Sequence, residues 1–333
     1  MNSMGKVAVI GSGSWGTALA RLLLNNCDRI GWYVHRQDRI DEFKRLGHNP
    51  VYLSDVDFDI SRIDFSSDIN EVCASADTLL LVIPSPYLLD TMERITMDIS
   101  RKNIVSAVKG IVPEADLIVT DWLKTRFGCQ ADRLLVIGGP CHAEEVALDR
   151  MSYLTIGCAD LTRSADFAAL LAGKRMRTIV SGDVDGIEYA AVLKNVYAIC
   201  AGIISGMKTG DNFMAMMVSN AIREMQRFVD AVAPQATRNI CDSAYLGDLL
   251  VTSYSRFSRN HNFGSMIGKG YSVKAAMMEM EMVAEGYYGT KCIQRINERG
   301  PRVDMPILRY VYRVLYENQN PRRSLSEIAL SFT

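Results

Sequence analysis

"VAVIGSGSWGTALARLLL", residues 7–24, is an apolar run that passes through three glycines into an Ala- and Leu-rich helical pattern. Gly11, Gly13 and Gly16 stand in G-x-G-x-x-G spacing between a strand and a helix, with Ser14 and Trp15 in the turn. In that context the spacing has a physical meaning. The first glycine allows a tight turn, the second lets backbone approach a pyrophosphate, and the third lets the helix pack closely on the strand. The opening helix then offers free N–H groups and a positive dipole end to the phosphates. The stretch predicts the first strand–turn–helix of a dinucleotide-binding domain.

Outward from it, short apolar runs recur at residues 29–34, 78–83, 103–108, 133–138, 153–158 and 177–180, with helical stretches between them. Such alternation predicts a parallel sheet covered on both faces. From about Asp183 the strand-like runs stop, and helices are expected over 184–206, 212–232, 243–253, 273–280, 284–299 and 306–317, broken by Gly, Pro and Asn. The fold class is therefore α/β, with a doubly wound (Rossmann-type) N-terminal domain over 1–182 and an all-α C-terminal domain over 183–333.

Composition narrows the function classes. The 333 residues carry 37 Lys+Arg against 38 Asp+Glu, so no charge excess favours nucleic acid or an anionic membrane. No run approaches the roughly 20 apolar residues of a membrane span, and the N-terminus makes a poor signal peptide. The 8 cysteines form no CxxC pair and there are 4 histidines. Free thiols, no metal site and a cytoplasmic location are expected.

Ligands of open α/β sheets gather beyond the carboxyl ends of the strands. The second strand ends in "YVHRQ", with His35 and Arg36 where an acid would bind the ribose 2′-hydroxyl of NAD. A guanidinium suits the 2′-phosphate of NADP, so the cofactor is NADP or NAD, with NADP favoured. Lys109 closes the apolar run "NIVSAVKG", and "GGPCHAEE" (138–145) closes a later one. In the helical half, "GIEYAAVLKNVYAICAGIISG" (186–206) is apolar almost all round except for Lys194 and Asn195. A helix without a polar face is buried, and a buried ammonium needs a partner. Asp248, set among leucines, is the candidate. "SRN" (258–260) groups Ser258, Arg259 and Asn260 on a predicted turn, a hydroxyl, a guanidinium and an amide suited to clamping an oxyanion.

Together "GSGSWGTALA", "VIPS", "VKG", "GGP", "AVLKNVYAICAGI", "LGDLLVTSYSRFSRN" and "EGYYGTK" occur in an order and spacing that resembles NAD(P)-dependent glycerol-3-phosphate dehydrogenases, from Lys6 to about Glu317. The resemblance implies reversible reduction of dihydroxyacetone phosphate to sn-glycerol 3-phosphate. It implies Lys194 as acid/base, with Lys109 and Asp248 beside it. Gly139, Cys141, Ser258, Arg259 and Asn260 then join the substrate site, and Ala143, Arg259 and Glu285 join the glycine loop and Lys109 around the cofactor. A homodimer is implied as well. The chain departs from the family pattern at Cys141 and His142, where Ser or Thr and then Phe are usual, and at Met214, where Arg or Lys is frequent. Two other readings compete: a 2-ketoacid or β-hydroxyacid reductase of the same architecture, in which Arg259 would hold a carboxylate, and a cofactor-binding sensor without chemistry.

Overall fold

The computed structural model describes residues 3–280, 282 and 284–333. The chain forms two compact units, one of residues 1–108 and 119–184, the other of residues 109–118 and 185–333.

The first unit is built on an eight-stranded sheet in the order β3-β2-β1-β4-β5-β6-β7-β8. The strands are β1 (Val7–Ile10), β2 (Ile30–Tyr33), β3 (Ile63–Ser66), β4 (Thr78–Leu81), β5 (Asn103–Ser106), β6 (Leu134–Gly138), β7 (Ser152–Cys158) and β8 (Met176–Ser181). All neighbours run parallel except β6 and β7. β1, β2, β4, β5 and β6 are buried at every position, as strands covered on both faces must be. β3 is absent from the apolar runs of the sequence. It is an edge strand, "IDFS", with only Ile63 buried, so its short pattern carries little periodic signal. Trp32 on β2 is fully buried against Phe43, Phe58 and Phe65, and its indole N–H donates to the Gly11 carbonyl at 2.9 Å. An aromatic cluster is thereby tied to the glycine turn.

The second unit is helical: α8 (Val184–Gly206), α9 (Asp211–Val232), α10 (Asp248–Tyr254), α11 (Arg259–Gly268), α12 (Val273–Glu279), α13 (Glu285–Arg299), α14 (Pro306–Tyr316) and α15 (Pro321–Ser331). α8 corrects one sequence expectation. By length and composition it is apolar enough to cross a membrane, yet 94% of its most apolar window is buried inside the fold. It is the core helix of this unit. Residues 258–260 also differ from expectation, because they start a helix in place of a turn. Ser258 caps α11, its hydroxyl accepting from the His261 N–H at 3.2 Å. The composition of α11, "RNHNFGSMIG", hides the helix. Gly264 and Gly268 lower its propensity but let it lie backbone to backbone on α8. α15 likewise carries no expectation, although Asn320 caps it and Pro321 opens it.

Two further contacts order the unit. Buried Glu224 on α9 accepts from the backbone N–H groups of Ile307 and Leu308 at 2.8 and 2.9 Å, satisfying the start of α14. Burial raises this carboxyl to about 7. Residues 109–118 fold onto α13: Asp116 pairs with Arg295 at 2.6 Å and Arg299 at 3.2 Å, and the Pro113 carbonyl accepts from Arg295 at 3.1 Å.

The α8–α11 contact is close enough to test. A Cβ on Gly202 would stand 2.0 Å from the His261 carbonyl oxygen, and one on Gly264 2.1 Å from that of Ile199. Backbone cannot yield as a flexible side chain can. Gly202→Ala should therefore cost about 3 kcal/mol or more in urea unfolding, the upper range of overpacking. Wild-type stability in that variant would refute the contact.

Candidate active site

In the first unit the glycine turn lies where the strand order reverses, between β1 and its neighbours β2 and β4, the usual ligand position of such sheets. Gly11 has φ +123°, and a Cβ there would meet the Val82 carbonyl oxygen at 2.7 Å. Gly16 is equally tight, a Cβ meeting the Gly11 oxygen at 2.6 Å. Gly13 differs, since its Cβ direction is open for at least 4 Å. Gly13 is also the N-cap of α1 (Ser14–Leu24), and no side chain caps that helix. Open space in front of an uncapped helix start fits a pyrophosphate.

Beside the turn lies a cavity of about 210 Å³ lined by Ser12, His35, Arg36, Arg39, Asn49 and Tyr52, among others. Asn49 makes its wall rigid. Its amide donates to the Ser12 carbonyl at 3.0 Å and the Thr17 hydroxyl at 2.8 Å, and its oxygen accepts from the N–H groups of Val51 and Tyr52 at 3.0 and 3.1 Å. His35 and Arg36 are exposed at its rim. At the end of β6, Gly139 takes φ +105°. Cys141 is buried there, and buried Ala143 opens the short helix α6 (Ala143–Ala147).

In the second unit α8 carries Lys194, 3% exposed, and its ammonium donates to Oδ1 of Asp248, itself 1% exposed. Burial pushes the Lys194 ammonium down to about 7; Asp248 opposes the shift, and the positive charge of Lys109 adds to it. The Asn195 amide donates to the Lys109 carbonyl at 2.8 Å, so the backbone of Lys109 is tethered to the residue that follows Lys194. Asp248 is the first residue of α10, directly after a π-helical turn at Ser243–Gly247, a local irregularity frequent at functional sites. The second carboxylate oxygen of Asp248 is buried and has no hydrogen-bond partner among the described residues.

Three helix starts converge near this pair. Arg259 opens α11 next to the Ser258 cap, and among the described residues no carboxylate pairs with it. Buried Asn260 accepts from the Gly286 N–H at 2.9 Å, next to Glu285 at the start of α13. A Cβ on Gly286 would lie 2.6 Å from the Asn195 oxygen, so α13 abuts α8 at the lysine turn. Lys109, Lys194, Asp248, Asn260 and Glu285 thus all belong to this unit, whereas Gly139, Cys141 and Ala143 belong to the first. Thr252 is a residue the sequence reading did not single out. One turn after Asp248, its hydroxyl donates to the Asp248 carbonyl at 2.6 Å. The i+4 spacing was its only signal.

The chain matches two family models, the NAD-dependent glycerol-3-phosphate dehydrogenase N-terminus over residues 6–164 and the corresponding C-terminus over residues 183–326. It is 31% identical over 327 residues to a glycerol-3-phosphate dehydrogenase [NAD(P)+] of Oceanobacillus iheyensis, covering 98% of this chain and 94% of that protein. It is 33% identical over 315 residues to the enzyme of that name from Prosthecochloris aestuarii, covering 94% of each. A crystal structure of glycerol-3-phosphate dehydrogenase from Coxiella burnetii superposes with a TM-score of 0.89 at 28% identity, over 98% of this chain and 99% of that one.

The lysine–aspartate pair makes a stability prediction. Lys194→Met leaves the Asp248 carboxylate buried and unpaired, and breaking a buried pair costs about 3–5 kcal/mol. Urea unfolding should show a loss of that order. Adding Asp248→Asn, which removes the orphaned charge, should restore much of it. A single variant as stable as wild type would contradict the pairing.

Proposed function

Because the chain belongs to the NAD-dependent glycerol-3-phosphate dehydrogenase family, we propose that Lys194 is the proton donor of its ketone reduction. The protein is an oxidoreductase that interconverts dihydroxyacetone phosphate and sn-glycerol 3-phosphate with NAD(P), a step that supplies glycerophospholipid synthesis. Bound at the glycine turn, with Gly11, Gly13, Ser14, Trp15 and Gly16 around its pyrophosphate, the dinucleotide supplies a hydride. The observation that carries the assignment of Lys194 is its buried pairing with Asp248, under the added charge of Lys109.

As C2 of the ketone is reduced, negative charge grows on its oxygen. Lys194 gives that oxygen a proton and becomes neutral, and in the reverse direction it takes the proton back. An acid with a pKa near 7 suits both directions at neutral pH. Asp248 orients the ammonium and offsets its burial. Lys109, fixed through Asn195, adds positive charge that polarises the carbonyl. Arg259, which pairs with no carboxylate among the described residues, holds the substrate phosphate with Asn260 and Ser258, so binding away from the reacting carbon aligns it. The family resemblance supports further substrate or cofactor contacts from Gly139, Cys141 and Ala143 in the first unit and from Glu285 in the second. Arg36 supports use of NADP alongside NAD. Cysteines without bridges support a cytoplasmic site of action, and the family resemblance supports a homodimer. A 2-ketoacid substrate and a sensor without chemistry are both disfavoured by the family match across nearly the whole chain.

Two outcomes test these roles. Lys194→Met should lower kcat for dihydroxyacetone phosphate by at least about 10²-fold, the usual scale of a lost general acid. In the wild type, reduction needs the protonated amine, so its rate should fall as pH rises through about 7. Oxidation of glycerol 3-phosphate needs the neutral amine and should rise over the same range. A variant with most of the wild-type kcat would remove Lys194 from the chemistry. Arg259→Ala should reduce kcat/KM by roughly 10²–10³-fold, mainly through KM, as loss of a charged ligand contact does. An unchanged KM would assign the phosphate to another residue.

A further inference from the structure

We infer that Asp38 is a specificity-determining residue that holds the cofactor pocket between NADP and NAD, by occupying the guanidinium that would otherwise be given over to a 2′-phosphate. The inference rests on reading the first unit as the NAD(P) site.

The dinucleotide-binding sheet places the ribose nearest the adenine beyond the end of β2. At that place the cavity beside the glycine turn is lined by Arg36 and Arg39. Two guanidiniums at this position would select strongly for a 2′-phosphate, because each offers a planar fork of donors to it. Neither is unopposed here. Arg36 makes a two-pronged pair with Asp38: its Nε donates to Oδ1 at 3.0 Å and its Nη2 donates to Oδ2. Arg39 pairs with Glu42 at 3.0 Å. The rim therefore carries two cations and two carboxylates, and its net charge is zero.

The pairing also excludes the alternative role for the acid. A carboxylate that reads the 2′-hydroxyl of NAD stands at the end of the second strand. β2 ends at Tyr33, and the next three residues are Val34, His35 and Arg36. Asp38 lies beyond them in the first turn of α2 (Gln37–Leu46), and both of its oxygens are engaged by Arg36. It is the counter-ion of Arg36.

A 2′-phosphate reaching Arg36 must displace Asp38 or bind with a carboxylate just across the guanidinium. Either way the dianion meets a negative charge that NAD does not. Against this, Asp38 keeps Arg36 oriented, but that gain is limited to the entropy of one exposed side chain. Charge repulsion therefore decides the sign. Because the pair is half exposed, its effect is modest and shrinks with salt. Asn49, also in the cavity lining, is committed to four internal hydrogen bonds, so discrimination falls to the arginines.

Equilibrium titration of the full-length protein with NADH and with NADPH, at low and high salt, tests this. Asp38→Asn should raise the NADPH-to-NADH affinity ratio roughly three- to fivefold at low salt, and less at high salt. In the Arg36→Ala background the same change should leave the ratio where Arg36→Ala alone sets it, since Asp38 acts through Arg36. A ratio that stays constant or falls in Asp38→Asn, or a shift of equal size without Arg36, overturns the inference. Wild-type protein that binds neither dinucleotide overturns the underlying reading of the first unit as well, and so separates the two failures.

Discussion

The ion pair between Lys194 and Asp248 is what permits α8 to be a core helix and still carry an ammonium. Twenty-three residues with almost no polar face must be enclosed on all sides, and an ammonium in that environment would by itself be ejected or deprotonated. Asp248 supplies the opposite charge from the start of α10, behind a π-helical turn that sets its approach. The balance leaves the lysine with a proton that is easily lost near neutrality. A fully solvated lysine would hold its proton too tightly to pass it on, and an unpaired buried one would have lost it.

Around the pair, packing decides what else can reach the site. α11 and α13 approach α8 through glycines, so that Gly202, Gly264 and Gly286 leave no room for a Cβ. The close approach brings the starts of α11 and α13, with Arg259, Asn260 and Glu285, beside the lysine turn. Asn195 then reaches the backbone of Lys109, in a segment pinned to α13 through Asp116. The placement of these side chains thus depends on backbone contacts between helices, and loss of one glycine should disturb both stability and their arrangement.

Much of this was legible in the sequence where the signal is local. The G-x-G-x-x-G turn is read from adjacent residues, and its context after an apolar strand gives it meaning. Lys194 stands out because a charge in an apolar helix needs a partner, and Asp248 because it is an acid set among leucines. Features set by distant packing were not legible. β3 has too short a pattern at the sheet edge, and α11 looks like a turn because its glycines serve contact with α8. Residues 109–118 leave the sheet for the helical unit, a change of partner that no periodicity announces. Arg36 was visible as a cation at the right strand end, but its neutralisation by Asp38 depends on the α2 turn that folds one side chain back on the other.

The most direct measurement of the central claim is the titration of Lys194 itself. In protein labelled with ¹³C at lysine Cε, the Lys194 resonance should titrate near pH 7, well below the other lysines. In Asp248→Asn it should move lower still, because the carboxylate that favours the charged form is gone. A Lys194 that titrates near the ordinary lysine value of about 10.4, or that does not respond to loss of Asp248, would contradict the account.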